Sequence, residues 1–174
     1  MTVPPDIVES VQWLGWPGET VGQIDFGGVQ FWAVAEFDGG EHRRRVASGR
    51  GPVLDRDVLE SVLAGGLAKA SIGPPARLVG CLVVDSSPRR ASQTASLLAG
   101  YSRRAILIDD GPAVLGALID AAALGQGVVV RSRSGLRMLS EAGPRVPGAG
   151  FEAREWELLE RVYLARCSMT ASAA

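Results

Sequence analysis

Three carboxylates near the amino terminus have the types and spacing for metal chemistry. Glu36 and Asp38 are two residues apart, so on an extended strand both side chains point to one face. Asp25 lies one strand earlier, in the string Gly22-Gln23-Ile24-Asp25-Phe26. A metal-dependent phosphodiesterase needs two or three carboxylates converging on Mg2+, with the phosphate and a water completing its shell. A second group of residues suits phosphate contacts. Arg43, Arg44 and Arg45 follow the acidic strand directly, while Arg131 and Arg133, with Arg137 after them, lie much later in the chain. Such guanidiniums hold phosphates without reading sequence. The plainer reading of both groups is a solvated, charged surface.

Those carboxylates need a scaffold. Val21–Phe26 and Val29–Phe37 read as two strands joined at Gly27-Gly28, a two-residue hairpin signal. A two-residue turn there places Asp25 opposite Gln30 and Glu36 opposite Glu19. Asp25 and Glu36 are then six strand positions apart, about 20 Å, too far for one ion. A later turn near residues 30–31 or a bulge relieves this; otherwise the two do not cooperate. Residues 41–48 read as an exposed edge strand or a loop, with His42 exposed in it.

From residue 53 helix and strand alternate. Residues 53–70 form an amphipathic helix by i, i+4 spacing, stopped by Gly73-Pro74-Pro75. Leu78–Val84 is a continuous apolar strand holding Cys81, expected as a buried free thiol. Ser87 and Pro88 open a helix to about Gly100. Ala105–Ile108 is the next strand. The helix after Asp110-Gly111-Pro112 turns Leu115, Leu118, Ile119 and Ala122 inward and stops at Gly125. Val128–Val130 is a further strand.

The expected fold is α/β: a mixed sheet with an N-terminal antiparallel hairpin, parallel β-α-β-α-β units and a C-terminal helix. Residues 1–142 make the domain and 143–150 a Pro/Gly-rich linker. Residues 151–167 make a helix with Trp156, Leu159 and Tyr163 on one face, and 168–174 a flexible tail. Trp13, Trp16 and Trp32 cluster near the hairpin, where they fill the core, fill an interface or stack on bases.

Composition narrows the classes. The chain has 174 residues, 47% hydrophobic and 21% charged, with a net charge of -1. That describes an ordinary globular chain and not a polybasic nucleic-acid binder. Two cysteines and one histidine exclude a four-ligand structural zinc site built from cysteine and histidine. No Walker-type phosphate loop and no nucleophile elbow occurs. No apolar run suits a membrane span and no secretory leader is evident, so a cytoplasmic location is expected. Charge is uneven. Residues 1–40 carry Asp6, Glu9, Glu19, Asp25, Glu36 and Asp38 and no base, whereas residues 86–145 carry an excess of arginine.

The arrangement Gly22-Gln23-Ile24-Asp25-Phe26 … Glu36-Phe37-Asp38 resembles the D…(E/Q)-x-K pattern of the restriction-endonuclease-like superfamily, most closely its Mrr-type branch. The later string Ile106-Leu107-Ile108-Asp109-Asp110-Gly111 is similar to that family's late strand-then-helix segment. The resemblance spans about residues 12–120 and is carried by few residues. It implies an endonuclease-like fold, DNA as partner, and Mg2+ on Asp25 and Glu36. The family's lysine position is held here by Asp38, which reverses the local charge and offers a third metal ligand. Lys69, the sole lysine, is the remaining candidate for the missing cation. The resemblance thus implies a nuclease-like protein with impaired phosphodiester hydrolysis, or a non-catalytic relative kept for DNA contact. The alternative is an α/β adaptor that binds a protein partner, or itself, through residues 151–167.

Overall fold

The computed structural model describes residues 2–65, 73–145 and 152–171. Helix α1 (Pro5–Trp13) leads into the antiparallel strands β1 (Glu19–Phe26) and β2 (Val29–Phe37). Helices α2 (Gly39–Ala47) and α3 (Arg56–Gly65) precede β3 (Ala76–Val84). Then come α4 (Pro88–Ser96), β4 (Arg103–Asp109), α5 (Val114–Ala123), β5 (Gly127–Ser132), β6 (Gly135–Ser140) and α6 (Ala153–Ala171). The strands form one six-stranded sheet in sequential order. β1, β2 and β3 pair antiparallel, β3, β4 and β5 pair parallel, and β6 returns antiparallel on β5. This is the mixed α/β sheet the alternating pattern implies, with β6 added at the far edge.

The turn at Gly27-Gly28 is the two-residue turn of the hairpin reading. Both glycines have positive φ (63° and 78°), which a primed turn requires. Asp25 pairs with Gln30, as expected from that turn, but a bulge between Thr20 and Gly22 shifts the far end, so Glu19 faces Ala35 and not Glu36.

Both faces of the sheet are covered. One carries α4, α5 and α6 over Phe31, Leu98, Ile106, Ile108, Val130, Leu158 and Val162. The other carries α1 and Trp16 over Val34, Leu82, Leu107 and Val129. Gly80 allows this second layer to close. A Cβ there would collide with the Trp16 ring.

Several local expectations need correction. Residues 41–48 are neither strand nor loop but lie largely in α2, which Asp38 caps by accepting from the backbone of Gly40 and Glu41 at 2.7 and 3.0 Å. Leu115 and Ile119 do not face inward; both are more than 60% exposed, and α5 buries Ala117 and Ala121 instead. Helical periodicity fits either face when a helix has little charge, and small residues suit close packing on the sheet. The terminal helix runs through Ala171, so residues 168–171 continue it. Its Trp156, Leu158 and Val162 are fully buried in this same domain, and Tyr163 is 3% exposed. Of the helix expected over 53–70, α3 begins at Arg56 and is described to Gly65; residues 66–72 lie outside the described part, as do 146–150 of the linker.

Candidate functional site

The register separates Asp25 from Glu36, and Asp38 follows Glu36 two residues on. Asp25 sits at the hairpin tip, opposite Gln30, beside the carboxyl end of β3. Glu36 lies six residues further along β2, about 20 Å away, where its cross-strand neighbour is Arg77. Arg77 Nη2 donates to Glu36 Oε2 at 2.6 Å. Asp38 has its Oδ1 engaged in capping α2. Those backbone donors, Glu41 first and Gly40 next, hold its carboxyl below the usual carboxylate range. The strand register therefore sets Asp25 too far from Glu36 to share one Mg2+ with it. Among the described residues no group of three histidine, cysteine or acidic side chains gathers around a point. Lys69 lies outside the described residues.

The early arginines also divide. Arg45 is 1% exposed and is not a phosphate contact. Its Nε donates to Glu41 Oε1 at 2.8 Å, and its Nη1 and Nη2 donate to the two oxygens of Glu160 at 2.7 Å. Burial opposes its charge, but Glu160 and Glu41 outweigh that and raise its pKa. Glu160 also accepts from the Trp156 indole and the Val53 backbone. Arg44 lies 2.7 Å from Glu41 Oε2, an ionic contact outside hydrogen-bond alignment. His42 is not an exposed loop residue; its Nδ1 is 2.8 Å from the Tyr163 hydroxyl. Arg43 alone of the three is exposed without an ionic partner among the described residues. It stands at the amino edge of the parallel strands, across the sheet from Arg131 and Arg133.

The opposite edge holds the more developed site. Each parallel strand ends there on a charged residue: Asp85 just after β3, Asp109 and Asp110 at β4, and Arg131 in β5. In doubly wound α/β sheets ligands bind outside the carboxyl ends of the strands where strand order reverses; here the order is sequential, and the concavity at this edge is made by the end of β4 and the β5–β6 turn. A cleft of about 850 Å³ occupies this position. It is lined by Asp109, Asp110, Arg131, Arg133, Arg137 and the backbone turn between β5 and β6. Arg131 braces it, donating to Asp109 Oδ1 at 2.9 Å and to Asp6 Oδ2 of α1 at 2.6 Å. Asp109 chiefly, and then Asp6, raise the arginine's pKa against the partial burial that lowers it.

Ser132 shapes the turn: its hydroxyl donates to the Gly135 carbonyl at 3.0 Å and accepts from the Ser134 backbone at 3.3 Å. Gly135 takes φ 116°, where other residues are strained. Arg133 and Arg137 are exposed and have no ionic partner among the described residues. With Arg131 neutralised by Asp6 and Asp109, the unpaired charges left in the cleft are Arg133 and Arg137 against Asp110.

A smaller cavity of about 280 Å³ lies on the same edge, toward the hairpin. Gln23, Asp25, Gln30, Trp32, Asp85, Arg90 and Thr94 are among its lining residues. Asp85 is held by a two-pronged contact with Arg90, at 2.6 and 2.8 Å, and by the Ser87 backbone. Arg90 first, and then Ser87, lower its pKa. Asp25 has no hydrogen-bond or ionic partner among the described residues.

Of the sequence candidates, then, Arg131 and Arg133 share one cleft, while Asp25 lines the neighbouring cavity. Gln23, Gln30, Asp85 and Arg90 escaped the sequence reading. The available signal was that successive apolar strands all end on a charged residue at one edge. Cys81, by contrast, is the buried free thiol expected, pushed up to about 12 chiefly by burial. Neither a family model, nor a curated protein, nor a solved structure matches the chain. The endonuclease-like resemblance therefore rests on this chain's own residues.

Proposed function

We propose that the protein is a DNA-binding module that grips the phosphate backbone without hydrolysing it. The cleft at the carboxyl ends of β4 and β5 is the contact surface. The observation that carries this reading is the pair Arg133 and Arg137, two exposed guanidiniums on one hairpin, without an ionic partner among the described residues, beside an open cleft of about 850 Å³. The resemblance to endonuclease-like proteins supplies the expectation of DNA; the separation of Asp25 from Glu36, and the ion pair of Glu36 with Arg77, argue against hydrolysis. The adaptor reading is weaker, because Trp156, Leu158 and Val162 of α6 are already buried within the chain.

Phosphate contacts release counterions, so affinity falls with salt in proportion to the charges engaged. Duplex DNA is expected to bind equally with or without EDTA. Arg133→Ala and Arg137→Ala should each flatten the log–log salt slope by about 0.9. Fluorescence anisotropy across a salt series measures this. Unchanged slopes in both variants, or DNA cleavage that EDTA abolishes, would overturn the reading.

A further inference from the structure

The small cavity beside the phosphate-binding cleft has chemistry of its own. Gln23 and Asp25 of β1 and Gln30 and Trp32 of β2 are cross-strand pairs, so all four side chains share one face of the hairpin. This face is open at its tip: Gln23, Asp25 and Gln30 are exposed and Trp32 is half-buried. The cavity's volume, about 280 Å³, is below the range of about 300–1,000 Å³ that drug-sized ligands fill. A single planar heterocycle suits it better. Its two carboxylates differ in kind. Asp85 is committed to Arg90 and the Ser87 backbone, whereas Asp25 is exposed and has no protein partner among the described residues, so its carboxylate is open to an incoming ligand.

We infer that this cavity takes one unpaired guanine of a DNA strand whose phosphates lie on the Arg133–Arg137 hairpin. The inference rests on the DNA-binding reading and names the base it selects. Guanine presents two parallel donors, N1–H and the N2 amine, and a carboxylate accepts both at once. Adenine, cytosine and thymine offer no such pair. The Gln23 and Gln30 amides can donate to the guanine O6, and Trp32 supplies an aromatic surface for stacking. The base must leave its duplex partner, because pairing covers the edge that Asp25 would read. The spacing is compatible. From the β2–β3 end of the edge to β5–β6 is about three strand spacings, or about 15 Å.

The test compares a short oligo-dT carrying one central dG with the same strand carrying deoxyinosine, which lacks the N2 amine, or dA. Anisotropy is measured on the wild type and on Asp25→Asn, Asp25→Ser, Trp32→Ala and Arg133→Ala. The dG strand should bind about tenfold tighter than the deoxyinosine strand, as loss of one charge-assisted hydrogen bond requires. Either Asp25 substitution should erase that ratio, and Trp32→Ala should weaken binding of the dG strand by about tenfold. Asp25 is exposed, so both substitutions leave the core untouched; thermal melting verifies that they fold.

Equal affinity for the dG and deoxyinosine strands, with Arg133→Ala still weakening both, overturns the guanine site and leaves the phosphate cleft standing. A ratio that survives both Asp25 substitutions overturns the assignment of the reader. If neither strand nor duplex binds, both readings fall together.

Discussion

Arg45 shows how far a side chain's role depends on its surroundings. Within a run of three arginines it looks like a phosphate contact, yet it is enclosed by Glu41 and Glu160 and reaches the Gly73 carbonyl at 2.8 Å. A buried ion pair adds little net stability over a well-packed apolar substitute, but removing one partner strands the others in a low-dielectric site. Arg45→Met should therefore cost about 3–5 kcal/mol in urea unfolding. The exposed neighbour Arg43 should tolerate Ala within about 0.5 kcal/mol. The run of arginines was legible in the sequence; which one would be enclosed was not, because Glu160 is remote along the chain. Asp25 illustrates the same point with the opposite outcome: an acidic residue on a strand was visible, but its neighbours at the sheet edge were not.

At the scale of the element, α2 is the clearest case of local chemistry overlooked. Gly39-Gly40 looks like a strand breaker, and residues 41–48 look like an exposed edge strand or a loop. Asp38 instead satisfies two of the amide donors that a helix start leaves open. Asp38→Ala should destabilise the protein by about 1 kcal/mol at neutral pH. The folded-state pKa of Asp38 lies below the ordinary aspartate value of 3.8. Its stabilisation is thus fully present above 3.8 and disappears as pH falls through the lower folded value. The gap between wild type and Asp38→Ala in thermal melts should close over that acidic interval. A gap that stayed constant would show that the cap acts through something other than the ionised carboxylate. Helix α5 failed differently: its apolar residues spread around the whole circumference, so periodicity did not select a face.

Across the whole molecule, α6 is part of the central core. Leu158 lies among side chains from strands and helices on the same side of the sheet, and it is fully buried. Leu158→Ala should cost about 2–5 kcal/mol. The loss should appear in a single transition, with indole fluorescence and far-ultraviolet circular dichroism changing together. Separate transitions would mean that the helix melts as an independent unit. The breaker-rich stretch before α6 permits docking on this chain or on a partner. Composition records that a linker ends, not where the next helix docks.

The sequence by itself determined the alternation of elements, the mixed character of the sheet, the Gly27-Gly28 turn and the burial of Cys81. Each follows from interactions between residues close along the chain or from uninterrupted apolar runs. Only the tertiary structure decided which charged groups meet. Strand register carried Asp25 to one edge of the sheet and Glu36 to the other. Helix packing enclosed Arg45 while Arg133 and Arg137 stayed open to solvent. Distances between side chains at a site arise from pairings between remote segments, and local spacing carries no measure of them.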